Sequence, residues 1–220
     1  MTTEIGRLRR RPKLIPMNDF IDFWLFSLGE DQAQRARAAA RARLREILAD
    51  YHGESADTLE LAEGVHGKPR LAGSAWAFNL AHCGDRALVA VAHGAGVGVD
   101  LERERDDVDV VPIVKHYFSP HEREDFERQP AARRCAWFFR QWVAKEAVVK
   151  AHGGGLTIAP NLFAVQFEDA HRGRVLSPGA DPGDHWHVRM LDAGPGWHAA
   201  VAFDGLPRAL RFRSRDTSRR

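Results

Sequence analysis

Residues 142–156 read WVAKEAVVKAHGGGL, an apolar stretch that stops at three consecutive glycines. Its apolar residues recur with the helical period up to His152, and a glycine next in line ends a helix without strain. A surface helix scatters charge over its wet side. This one instead sets Trp142, Glu146 and Lys150 at i, i+4 and i+8, a single stripe on an apolar cylinder. A surface Glu–Lys pair adds only about 0.3–0.5 kcal/mol to a helix, so the stripe calls for a role beyond helix stability.

A second stretch upstream, GVGVDLE at 96–102, reads as a strand. Alternation puts Val97, Val99 and Leu101 on one face and Asp100 and Glu102 on the other. Neighbouring carboxylates repel unless a cation lies between them. Two readings fit. One is a solvated strand end, which the run Glu102-Arg103-Glu104-Arg105 also suits. The other is a hard cation held by Asp100 and Glu102 with Glu146 as a third oxygen donor, a set that favours Mg²⁺ over zinc. Mg²⁺ commonly binds together with substrate phosphates, and Lys145, Lys150 and Lys68, the last held extended by Pro69, are cations that would offset phosphate charge.

Around these stretches the elements fall in order. Residues 14–28 are apolar and predict a first strand; SLGE at 27–30 fits a capping box for a helix ending near Gly53. That helix carries Arg35, Arg37, Arg41, Arg43 and Arg45. Arg41 and Arg45 lie beside Leu44 and Leu48, so they either leave the core edge toward an anion or belong to a solvated face. SAWAFNLAH, RALVAVA and GVGVDLE predict a three-strand meander. A helix from Pro120 and a long one over about 131–152 follow. LFAVQFED, HWHVRML and WHAAVAF read as strands joined by turns at HRGR and DAGPG.

The expected fold is therefore α+β: two similar halves related by a pseudo-two-fold axis, each a helix on a small, mostly antiparallel sheet, with the active site in the cleft between them. The expected limits are 1–105 and 106–213, with 214–220 a disordered basic tail. At 220 residues, 44% hydrophobic and 28% charged, the chain can bury a substantial core. No apolar run reaches membrane length, no secretory segment is legible, and two cysteines make neither a disulfide framework nor a cysteine zinc site. A cytoplasmic monomer is the expectation. The net charge of +2 hides basic ends, five Lys/Arg within 7–13 and six Arg within 208–220, which leave 21 basic and 29 acidic residues in the rest of the chain outside these two ends and Asp216.

Several motifs close quickly. HGGG at 152–155 has no nucleophile elbow to serve, and no P-loop occurs. His185 and His187 share a strand face without a third metal ligand. His82 beside a turn is most simply structural, and adjacent Cys83 points to the other face. Ser119, Pro120 and Glu122 form a capping box, which accounts for Glu122 without chemistry.

In their order along the chain, GKPRL (67–71), WAFNLAH (76–82), GVGVDLE (96–102), FSPHERE (118–124) and WVAKEAVVKAHGGGL (142–156) resemble the 4′-phosphopantetheinyl transferases of the larger, two-lobed type, over roughly residues 20–165. The pairing of G-x-D-x-E with W-x-x-K-E-A-x-x-K is specific; either motif alone is not. The resemblance implies transfer of phosphopantetheine from coenzyme A to a serine of an acyl or peptidyl carrier protein, with release of 3′,5′-ADP, in fatty-acid, polyketide or nonribosomal-peptide biosynthesis. It implies Mg²⁺ on Asp100, Glu102 and Glu146; Lys150 on the phosphate under attack; and His82, Lys68, Arg41, Arg45 and Lys145 on coenzyme A. Asp100, Glu146 and Lys150 are then the catalytic residues, with Glu146 as base for the serine. One departure is Ala81-His82-Cys83, where the family's usual pattern has serines on both sides of the histidine.

Two rivals remain at this stage. A non-catalytic module gripping nucleic acid or an acidic partner with its basic ends would give no role to the three carboxylates. Another Mg²⁺ enzyme acting on a nucleoside diphosphate would modify no protein. The transferase reading expects neither nucleic acid nor membrane as a partner.

Overall fold

The computed structural model describes residues 20–29, 33–64, 67–154, 159–176 and 186–213. The basic N-terminal run, Glu30 of the expected capping box, Gly155, His185 and the tail from 214 lie outside the described residues. No helix among the described residues is long and apolar enough to cross a membrane.

The chain forms two sheets laid face to face, each with a long helix on its outer side. β1 (Phe20–Ser27) leads to α1 (Ala33–His52), then to a short hairpin of β2 (Leu61–Glu63) and β3 (Pro69–Leu71). β4 (Trp76–Cys83) and β5 (Arg86–His93) form the next hairpin, and β6 (Val97–Arg103) follows. Three helices come next: α2 (Val110–Tyr117), α3 (Pro120–Arg128) and α4 (Ala131–His152). β7 (Ala164–Phe167), β8 (Arg172–Leu176), β9 (His187–Leu191), β10 (Trp197–Phe203) and β11 (Ala209–Phe212) complete the chain. The first sheet has the order β11-β1-β5-β4 and the second β6-β10-β9-β8-β7. All pairings are antiparallel except β1 with β11. The α+β class and the layering of helix on sheet agree with the sequence.

The expected three-strand meander does not form. β4 and β5 pair, but β6 leaves for the second sheet and pairs with β10. The reason lies in its two faces. Val97, Val99 and Leu101 pack with Ala81, Leu88, Ala90 and Ala92 in the apolar layer between the sheets. The other face is covered by α4, and Gly98 permits this, because a Cβ there would collide with Ala147 O and Ala151 N. In turn β11 crosses back to lie beside β1, where Arg211 forms a bidentate pair with buried Asp22 and Tyr51 donates to the same carboxylate at 2.5 Å. A boundary at 105 therefore does not separate the two sheets, since each holds a strand from across it.

β6 is an edge strand, and its outward backbone groups are capped from the first sheet's side. Asn79 Oδ1 accepts from Val99 N–H at 2.8 Å, and Lys68 Nζ donates to Val97 O at 2.8 Å. Helix α4 ends as its sequence requires, with Gly153 left-handed at φ 76° and its N–H on Val149 O.

Candidate active site

The face of β6 turned to α4 carries Asp100 and Glu102, the alternation anticipated from GVGVDLE. Asp100 is 4% exposed, and its Oδ1 accepts from Lys150 Nζ at 2.5 Å. Its other oxygen, Oδ2, is buried without a hydrogen-bond partner. A buried carboxylate oxygen left this way carries a desolvation cost that a cation would relieve. Glu146, one turn before Lys150, looks the same way. Burial first, and the Asp100 charge second, push the pKa of Glu102 and of Glu146 up; the Asp100 pKa is raised by burial, against the pull of Lys150. The three carboxylates thus sense one another. Among the described residues, however, no set of three potential ligands is gathered tightly enough to hold a metal ion ready-made. The ammonium of Lys150, seated on Asp100, currently supplies the positive charge. The donor chemistry and the orphaned Oδ2 nevertheless fit a hard divalent cation.

β4, which packs beside β6, lines a neighbouring cleft. His82 is exposed at the mouth of a cleft of about 680 Å³ also lined by Arg37, Arg41, Asn79, Gly67 and Pro69. Burial, then the charges of Arg37, Lys150 and Arg41, depress the pKa of His82. That cationic surround favours an anion over another cation. Cys83, on the opposite face of β4, donates its S–H to Glu102 Oε2 at 3.3 Å. Burial raises its thiol pKa, as does the adjacent carboxylate.

The remaining expected residues divide. Arg41 faces the cleft. Arg45 also lines it, but its guanidinium is tied to the carbonyls of Ala56, Asp57 and Leu59 at 2.8, 3.4 and 2.8 Å, so it primarily pins the loop after α1. Arg37, one turn before Arg41, is the basic residue the sequence reading passed over; the i, i+4 spacing was the available signal. Lys68 binds Val97 O and Ala151 O at 2.8 and 2.9 Å, clamping the start of β6 to the end of α4, and burial lowers its pKa to about 8.

Lys145 departs from expectation altogether. It is 1% exposed, lies in the interior between α3, α4 and the segment before β7, and bonds Glu122 Oε2 at 2.7 Å and Phe163 O at 2.6 Å. One residue along a helix turns the side chain about 100°, which carries Lys145 away from the Glu146 stripe and into the core. Its expected contact with coenzyme A is corrected accordingly. Trp142 does remain on the stripe, half-buried, stacked on Phe138 and edge-on to Tyr117.

Residues 96–202 match the model of the 4′-phosphopantetheinyl transferase superfamily, and this span holds both β6 and α4. The 4′-phosphopantetheinyl transferase HetI of Nostoc sp. is 30% identical over 178 residues, covering 68% of this chain and 75% of that protein. The chain belongs to this transferase family. A second family relative, psf-1 of Bacillus pumilus, is 32% identical over 101 residues, 46% of this chain and 42% of its own. Among solved structures, a holo-(acyl-carrier-protein) synthase from Bacillus anthracis in complex with CoA (3′,5′-ADP) aligns with 50% of this chain and 94% of its own, at 18% identity and a TM-score of 0.42. The carboxylates and Lys150 lie on β6 and α4, and the neighbouring basic cleft lies between α1 and β4.

Proposed function

We propose that the protein transfers the 4′-phosphopantetheine group of coenzyme A to a serine hydroxyl of an acyl or peptidyl carrier protein and releases 3′,5′-ADP. The observation that carries this reading is the buried, unpartnered Asp100 Oδ2 beside Glu102 and Glu146, next to a cleft walled by Arg37, Arg41 and His82. Acidic groups for a cation and basic groups for phosphates, side by side, suit a diphosphate substrate.

In this reading Arg37, Arg41 and His82 bind the phosphates on the adenosine side of coenzyme A. Asp100, Glu102 and Glu146 would hold Mg²⁺, which when bound neutralises diphosphate charge and improves the leaving group. Lys150 leaves Asp100 for the phosphate under attack, where its ammonium offsets the charge that develops. Glu146 takes the proton from the serine hydroxyl. The serine oxygen forms a bond to the pantetheine-side phosphorus as the bond to the adenosine-side phosphate oxygen breaks, and 3′,5′-ADP departs with that electron pair.

The test is the intact mass of an apo carrier protein after incubation with this protein, coenzyme A and Mg²⁺. A gain of one phosphopantetheine that EDTA prevents is the expected result. Coenzyme A binding without any gain on fatty-acid or peptide-synthetase carriers would remove the proposed carrier class, and absence of coenzyme A binding would remove the reaction.

The two arginines one helical turn apart in α1 separate by role. Arg41→Ala is expected to raise KM for coenzyme A about five- to tenfold, more at low than at high salt, with little change in kcat, since it removes uniform binding. Arg45→Ala is expected to lower the denaturation midpoint instead, because its donors hold the 56–59 loop. Steady-state kinetics at two ionic strengths, alongside denaturant melts, would show the split; identical behaviour of the two variants would refute it.

A further inference from the structure

Glu102 has a contact that the transferase reading leaves unused. Among the described residues it makes no salt bridge, and its hydrogen-bond donor is the thiol of Cys83, across from β6 at the end of β4. A glutamate side chain with three rotatable bonds is poorly fixed without a second contact, and weak affinity is the usual result when a carboxylate ligand must first be ordered. Asp100 needs no such help, as burial and Lys150 hold it. Its Oδ2, buried without a hydrogen-bond partner, lies on the same strand face as Glu102.

We propose that Cys83 is a positioning residue for the cation site: by donating to Glu102 Oε2, its thiol holds that carboxylate beside the free Asp100 Oδ2 in the arrangement that receives a hard divalent cation. The inference rests on the metal reading above. It gives Cys83 of Ala81-His82-Cys83 a function that needs only a hydrogen-bond donor of this reach, which a thiol supplies weakly. The thiol acts through Glu102 and touches neither substrate nor metal.

The experiment is Mn²⁺ binding to the full chain, followed by electron paramagnetic resonance with and without coenzyme A, for the wild type, Cys83→Ala, Cys83→Ser and Asp100→Ala, with thermal melts of each. Cys83→Ala is expected to weaken Mn²⁺ about tenfold or more, the scale seen when a partner of a metal ligand is removed. Cys83→Ser, which keeps a donor, should bind close to the wild type. Loss of Mn²⁺ in Asp100→Ala with unchanged affinity in Cys83→Ala would overturn the role of Cys83 while leaving the metal site standing. Cys83→Ser as weak as Cys83→Ala would also overturn it, by reducing the thiol to packing. Wild type and Asp100→Ala binding alike would sink the metal reading and the inference with it. A sulfur-to-metal charge-transfer band on adding Co²⁺ would show the thiol as a ligand, which the proposal excludes.

Discussion

Asp100→Ala is expected to lower kcat/KM for carrier modification by about 10³-fold or more, with the fold retained. The size follows from what the residue would hold in the proposed reaction. A bound divalent cation supplies several kcal/mol of charge stabilisation in the transition state, and about 4 kcal/mol corresponds to about 10³ in rate. Asp100 is the most deeply buried of the three carboxylates and owns the unpartnered oxygen, so its loss removes the ligand that needs a cation most. The substitution also frees Lys150. That ammonium is one-third exposed and can turn to water, so the stability cost stays small. Asp100→Asn provides the control for shape: it keeps the volume and removes the charge, and it should be nearly as inactive. Mass spectrometry of the carrier under single-turnover conditions, with melting curves beside it, reads both quantities. An Asp100→Ala enzyme that turns over within a few-fold of the wild type would eliminate the three-carboxylate site.

The parts of this site that were legible in the sequence are those governed by a local period. Alternation along β6 sorted Val97, Val99 and Leu101 from Asp100 and Glu102, and helical spacing put Trp142, Glu146 and Lys150 on one stripe; both hold because neither depends on what lies across the fold. The helical angle between neighbours also directs Lys145 away from Glu146, a local signal that the W-x-x-K-E-A-x-x-K motif masks. Other features have no local signal. β11 is a basic, partly exposed segment whose place beside β1 is secured by Arg211 on Asp22, a contact spanning 189 positions. β8, in a stretch read as turn, has Arg172 and Arg174 outward and relies on Gly173, where a Cβ would press on the Phe167 ring at 3.0 Å. The exit of β6 to the second sheet was hidden because HGAG reads like a hairpin turn whichever sheet receives the next strand. Cys83 on Glu102 joins two sheets, and no spacing along one strand announces such a pair.

The largest expected effect on stability lies at Lys145 and Glu122, a pair with side-chain exposures of 2% and 1%. Glu122 was read from the sequence as a cap, and it is one: Ser119 Oγ accepts from its backbone N–H, and its Oε2 accepts from Ser119 N–H at 2.9 Å. The same carboxylate also accepts from Val165 N–H at 3.0 Å and from Lys145. It therefore ties the start of α3 to β7 and to the middle of α4. Lys145 completes its donors on Phe163 O and lies over the Phe163 ring at 4.3 Å. Burial pulls the lysine pKa down while Glu122 holds it up, so the ammonium persists in the interior only through its partner. Glu122→Gln keeps the shape and strands that charge, and is expected to cost about 3–5 kcal/mol. Lys145→Met strands the carboxylate, which still has two backbone donors, and is expected to cost somewhat less. The double variant leaves no buried charge and should recover most of the loss, so the two single costs should not add. Denaturant midpoints for the four proteins measure this directly; additive costs, or single costs below about 1 kcal/mol, would refute a coupled buried pair. The KM for coenzyme A of Lys145→Met, measured where the variant is folded, should match the wild type. A rise in KM without a loss of stability would instead place Lys145 in the cleft, against the geometry that puts its ammonium on Glu122.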